Sequence, residues 1–86
     1  MTSKLIYRDE SSRGTNEYTF TVYERDDRSY EVIAKAYRLF KNGTKQVEFE
    51  KKWEAATKLD LKKLDYKGSQ RLAKVFLESE FFSNLQ

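Results

Sequence analysis

Strict alternation organises the middle of the chain. Tyr18, Phe20 and Val22 fall on one side of a period-two pattern and Thr19, Thr21 and Tyr23 on the other, the signature of a half-buried strand. Arg25-Asp26-Asp27-Arg28-Ser29 supplies turn chemistry, after which Tyr30, Val32, Ala34 and Ala36 resume the alternation, so the two runs read as a hairpin. Upstream, Lys4 to Arg8 reads as a short strand. Asp9 to Asn16, rich in serine, glycine and charge, reads as a loop.

Tyr30 to Phe40 carries a second pattern. Glu31, Lys35, Arg38 and Lys41 fall within about 120° of one another at 100° per residue, which suits a helix capped by Asp27 or Ser29 and ended by Gly43. Against the helix stands Asn42-Gly43, a strong short hairpin signal, followed by Thr44 to Trp53 with Val47 and Phe49 alternating. A two-residue turn there needs positive φ at both Asn42 and Gly43. It sets Lys35 opposite Glu50 and Tyr37 opposite Glu48, which are favourable cross-strand pairs, but also puts Arg38 beside Val47 on the core face. The strand reading is preferred.

Past the strands, Thr57-Lys-Leu-Asp60 resembles a capping box and opens a short helix using Leu61 and Leu64, closed by Lys67-Gly68. Ser69 can cap a last helix with the stripe Leu72, Val75, Phe76 and Phe82, leaving Leu77 and Phe81 off it. The fold class is therefore α+β within a single small domain, 1–86. A three- to four-stranded antiparallel meander over about 4–53 is packed on its Tyr18/Phe20/Val22/Val32/Phe49 face by helices within about 57–83. The alternative is β-β-α-β-α with 29–41 helical.

Composition narrows the function. The chain has no histidine, cysteine or proline, yet 36% of it is charged and 15% aromatic. The side chains most used for nucleophilic, acid-base and metal chemistry are missing, so a non-enzymatic protein with no cofactor and no metal is expected. At 86 residues the core is only just large enough to fold alone, which keeps a homodimer in view. The first residues form no apolar signal region and no run reaches about 18 apolar residues, so the expected place is the cytoplasm, a host's if the protein is viral, with no membrane partner.

Charge is concentrated. Residues 45–74 hold 9 basic and 5 acidic side chains, and the whole chain has a net charge of +3. A basic stretch can track a phosphate backbone by releasing counterions. The expected nucleic-acid contacts are Lys51, Lys52, Trp53, Lys58, Lys62, Lys63, Lys67 and Arg71. The competing class is a protein-binding inhibitor or adaptor of the small viral or mobile-element type. It uses either the charged sheet face or an exposed apolar end made of Leu77, Phe81 and Phe82, because adjacent residues on a helix diverge by about 100° and one flat core cannot bury both rings. The meander's second face offers Tyr23, Tyr37, Lys35 and Lys52 as a stacking platform. Ile33, Leu39, Glu48 and Glu50 share that face, and the apolar pair suggests a covering helix. Finally, Glu50-Lys51-Lys52 resembles the Glu-x-Lys half of the PD-(D/E)xK nuclease motif over three residues. The missing acid would have to be Asp26 or Asp27, neither preceded by proline.

Overall fold

The computed structural model describes residues 3–83. Four antiparallel strands, β1 (Ser3–Arg13), β2 (Asn16–Arg25), β3 (Tyr30–Leu39) and β4 (Lys45–Ala55), lie side by side in the order β1-β2-β3-β4. Two helices, α1 (Lys58–Lys63) and α2 (Gln70–Leu77), and a 3₁₀ turn, Glu80–Phe82, follow. The architecture is the α+β meander, and 30–39 is a strand. Two partners decide it: Val32 and Ala34 face Val22 and Phe20 on one side and Trp53 and Lys51 on the other. The exposed charges that mimic a helical face belong instead to two faces of a pleated strand.

The first loop is shorter than its composition suggests. β1 continues through Asp9–Arg13, paired Asp9↔Phe20, Ser11↔Tyr18 and Arg13↔Asn16, and only Gly14-Thr15 connects it to β2. Ladder hydrogen bonds outweigh the poor strand propensity of aspartate and serine, and an edge strand tolerates polar side chains. Gly14, at φ 62°, fills the first turn position, where a two-residue hairpin of this kind calls for glycine.

The Asn42-Gly43 turn joins two strands, though by a longer route than the two-residue form. Phe40 N–H donates to the Thr44 carbonyl and Gly43 N–H to the Phe40 carbonyl, each at 2.9 Å, while only Gly43 has positive φ, 86°. This is a three-residue loop ending in a left-handed glycine. Lys35 faces Glu50 as expected, with Nζ 3.3 Å from the carboxylate. A register shift between Ala36 and Tyr37 then places Tyr37 opposite Val47 instead of Glu48. The bulge turns Val47 to the other face, and Arg38 lies exposed at the end of β3 opposite Gln46, its Nε 2.9 Å from Glu48.

The β2–β3 turn repeats this hydrogen-bond pattern with Arg28 in the glycine's place. Arg28 N–H donates to the Arg25 carbonyl at 2.9 Å, and Arg28 sits at φ 69°. An L-residue there costs about 1–2 kcal/mol, partly offset because glycine loses more entropy on folding. Arg28→Gly is therefore expected to raise stability by up to about 1 kcal/mol. Urea denaturation checks it, and a lowered midpoint contradicts the account.

One face of the sheet holds the core. Phe20, Val22 and Val32 are fully buried there, with Tyr18 and Phe49 half-buried at one end. α1 leans on β4 and α2 on β1, so the helices together span the sheet. Thr57 caps α1 by accepting from Asp60 N–H at 3.2 Å. That helix ends at Lys63, with Leu61 buried and Leu64 already extended, and Lys67-Gly68 belongs to the turn before α2. Ser69 stands at the start of α2 without a capping bond from its hydroxyl. The stripe of α2 is rotated from the expected one: Ala73 and Phe76 are buried, Leu72 and Leu77 half-buried, and Val75 is 50% exposed.

No described element covers the opposite face, which carries Thr19, Thr21, Tyr23, Ile33, Lys35 and Tyr37. The molecule measures 19 Å in its shortest dimension, the thickness of one sheet and one helix layer. Among the described residues no helix is long and apolar enough to cross a membrane.

Candidate nucleic-acid interface

The basic stretch is divided by the pleat of β4. Lys51 pairs with Ala34 and so projects on the helix-covered side. Lys52 pairs with Ile33 and projects on the bare side. Trp53 returns to the covered side opposite Val32, is only 9% exposed, and sets its ring edge-on to Tyr66 at 5.3 Å. It is a core residue, not an exposed stacking anchor. Lys51 lies against its rim, Nζ 5.4 Å from the ring centroid.

The remaining cations belong to the helix layer. Lys58 and Lys62 on α1 place their ammonium groups 4.1 Å and 5.5 Å from the ring centroids of Phe81 and Phe82. Each ammonium group thus sits over an aromatic ring, a cation–π contact. Lys63, Lys67, Arg71 and Lys74 are exposed. All six salt bridges among the described residues join strand residues, and none involves Lys51, Lys58, Lys62, Lys63, Lys67, Arg71 or Lys74. The helix layer thus displays cations that no ion pair neutralises.

The bare face is the reverse. Arg25 Nη2 donates to Glu31 at 2.8 Å and to Glu54 at 2.7 Å, Lys45 pairs with Glu17 at 2.8 Å, and Arg8 pairs with Glu10. The guanidinium of Arg25 and the ammonium groups of Lys35 and Lys45 are held in their charged forms by these partners, with hydrogen bonding to glutamate the main cause. Tyr23, Tyr37, Ile33, Thr19, Thr21, Arg8 and Lys35 line a shallow depression of about 180 Å³ in this surface. The covering helix that Ile33 and Leu39 suggested lies on the other side.

The expected apolar end is largely closed. Phe82 is 5% exposed and stands in the core, 4.9 Å from the ring of Phe76. Phe81 is half-buried between Tyr30 at 6.0 Å and Phe76 at 5.7 Å, beneath Lys58, and Leu77 packs against the same cluster. α2 stops at Leu77, and Phe81 and Phe82 follow on a separate 3₁₀ turn. The divergence argued for neighbours on one continuous helix therefore does not apply, and both rings reach the core edge.

Nor are the halves of the nuclease-like motif brought together. Glu50 pairs with Lys35 in mid-strand, whereas Asp26 and Asp27 lie in the β2–β3 turn, beside the Tyr30↔Ala55 end of the ladder. Five residues of strand between Glu50 and Ala55 correspond to about 17 Å. No group of three or more potential metal-ligating side chains clusters among the described residues. No protein-family model matches the chain, and no curated protein or solved structure matches it.

Proposed function

We propose that this protein is a non-enzymatic module that binds nucleic acid electrostatically through the helix layer and the adjoining strand residue Lys51. The observation that carries the proposal is the division of charge among the described residues: five of the nine cations on the strands, Arg8, Arg25, Lys35, Arg38 and Lys45, are held in ion pairs, while none of those on the helix layer is. Residues 58–74 hold six cations against Asp60 and Asp65 alone. An unneutralised cation gains most from a phosphate, because no existing ion pair has to be broken. The contact set is Lys51, Lys58, Lys62, Lys63, Lys67 and Arg71. Lys52 points away from it and Trp53 is buried. We place the activity in the cytoplasm, a host's if the protein is viral, consistent with a chain that has no cysteine to lose or form disulfides.

Binding through phosphates is weakly sequence-selective and strongly salt-dependent. A labelled oligonucleotide is expected to bind at about 0.1 M salt, with affinity falling linearly on a log–log salt plot. Changing Lys51, Lys62 and Lys63 together to glutamate is expected to lower the slope's magnitude by at least 2 to 3, since each lost phosphate contact removes about 0.7–0.9. A slope near zero, or one unchanged in the triple variant, overturns the reading.

A protein-binding inhibitor or adaptor, or a homodimer, is the second reading, and it now rests on the bare sheet face. There Val47 and Leu5 are 50% and 45% exposed beside Tyr23, Ile33 and Tyr37. Phe82 takes no part in it.

A further inference from the structure

A cavity of about 220 Å³ opens on the helix-covered side, where the β1–β2 end of the sheet meets the start of α2. Its floor is one cross-strand row, Tyr18↔Ala36↔Phe49. A methyl group between two larger side chains leaves a depression bounded by Tyr18 and Phe49, and both remain half-buried instead of being sealed in the core. The chain crosses close to this floor at Gly68, where an added Cβ would come within 2.7 Å of Phe49 Cζ.

Arg13 from β1 and Arg71 from α2 line the cavity with Ser69, and no carboxylate does. Neither guanidinium takes part in a salt bridge among the described residues. The site combines two aromatic side chains with two planar cations that can grip a phosphate bidentately. It is smaller than the roughly 300–1,000 Å³ of pockets that enclose drug-sized ligands, which suits one base and not two.

We infer that this cavity takes a single unstacked nucleotide, its base against Tyr18 and Phe49 and its phosphate between Arg13 and Arg71. The inference rests on the nucleic-acid reading and deepens it. Lys67, Arg71 and Lys74 extend the cationic surface from the cavity along the helix layer, so a strand tracking that surface arrives at an aromatic slot. Aromatic stacking accepts any base, consistent with binding of low sequence selectivity. A phosphotyrosine peptide shares the ring-plus-phosphate chemistry and serves as the competing probe.

The experiment is a titration of the full chain with AMP, adenosine, inorganic phosphate and phosphotyrosine, followed by backbone amide NMR, beside oligonucleotide binding by anisotropy. AMP is expected to shift the amides of Gly68, Ser69 and Arg71, and to bind at least ten-fold tighter than adenosine or inorganic phosphate. Arg13→Gln and Arg71→Gln, both at exposed positions, are each expected to weaken AMP about ten-fold while leaving the amide spectrum of the rest of the fold in place. Unmoved amides under AMP, inorganic phosphate binding as tightly as AMP, or phosphotyrosine binding tighter than AMP each overturn the inference. If oligonucleotides bind while AMP moves nothing at the cavity, the cavity assignment fails and the module reading stands. If AMP binds there and oligonucleotides do not bind at all, the site is a mononucleotide site and the module reading fails.

Discussion

Phe76→Ala is expected to lower the stability of the protein by about 3–5 kcal/mol, the range for removing a large aromatic side chain from a core. Phe76 is fully buried, and its ring meets Tyr7 at 4.7 Å, Phe82 at 4.9 Å, and Phe20 and Phe81 at 5.7 Å each. It is the point where four elements meet: edge strand β1, central strand β2, helix α2 and the 3₁₀ turn. Its loss leaves a cavity that cannot collapse easily, because Phe20 is fixed in the sheet and Phe81 and Phe82 sit on a turn only three residues long. At roughly 0.05–0.15 kcal/mol per residue, a chain of this size has about 4–13 kcal/mol in total, so this one substitution removes at least about a quarter of it. Phe81→Ala, which empties a half-exposed site, is expected to cost clearly less. Urea denaturation of the two variants checks both expectations, and a smaller loss at Phe76 than at Phe81 would contradict the assignment of the core centre.

The period-two pattern of β2 and β3 was legible because each has one buried and one solvated face, so polarity alternates with the pleat. The helical reading of Tyr30 to Phe40 arises because Glu31, Lys35 and Arg38 stand at helical spacing, whereas in the strand Glu31 and Lys35 share one face and Arg38 lies on the other. Register settled it, and register is a relation between strands that no single segment contains. The second half of β1 was illegible for the same reason. Ser11, Ser12 and Arg13 have no strand preference of their own and are held by Tyr18, Glu17 and Asn16 opposite them. The bulge at the β3–β4 end, which moves Val47 from the face of Phe49 to that of Tyr37, has no marker in the local sequence.

The basic surplus was visible as a count, but its placement was not. Lys51 and Lys52 were grouped because they are adjacent, although adjacency in a strand puts side chains on opposite faces, a consequence available as soon as Thr44 to Trp53 was read as a strand. Trp53, two residues from Lys51 on the same face, follows Phe49 in the core-facing set, and that spacing marked it as buried. What distinguishes the helix-layer cations is the absence of a paired carboxylate. Only the assembled sheet reveals that, since Lys35, Lys45 and Arg25 find their partners across strands. The cavity had one sequence signal, a small Ala36 in a run of core positions, but its meaning depends on Tyr18 and Phe49 lying beside it in the register.

Stability is expected to fall steeply above pH 10. Tyr66 is 5% exposed, its ring packs edge-on against Phe20 at 5.7 Å and Trp53 at 5.3 Å, and its hydroxyl donates to the Leu61 carbonyl at 2.6 Å. Burial disfavours the phenolate and pushes its pKa up to about 12 from 10.0. Below pH 10 the tyrosine is protonated in both folded and unfolded chains, and its contribution is fully present. Between about 10 and 12 the unfolded chain releases the proton while the folded one keeps it, so stability declines by up to about 1.4 kcal/mol per pH unit, or roughly 2–3 kcal/mol in all. Tyr7 and Tyr30 act in the same direction. Burial raises each first, with the carboxylates of Asp9 and Glu24 adding to the shift. The ion pairs of Lys35 and Lys45, whose glutamate partners raise the lysine pKa, are also lost at high pH, but they are surface pairs of small worth. Tyr66→Phe separates the contributions. At pH 8 the variant loses about 1–3 kcal/mol, because the Leu61 carbonyl is left without its donor. Its stability then declines less between pH 10 and 12 than the wild type's, and the two curves approach each other. Denaturation midpoints at pH 8, 10 and 11.5 for both proteins measure this directly, and parallel curves across that range would show that Tyr66 is not the titrating group.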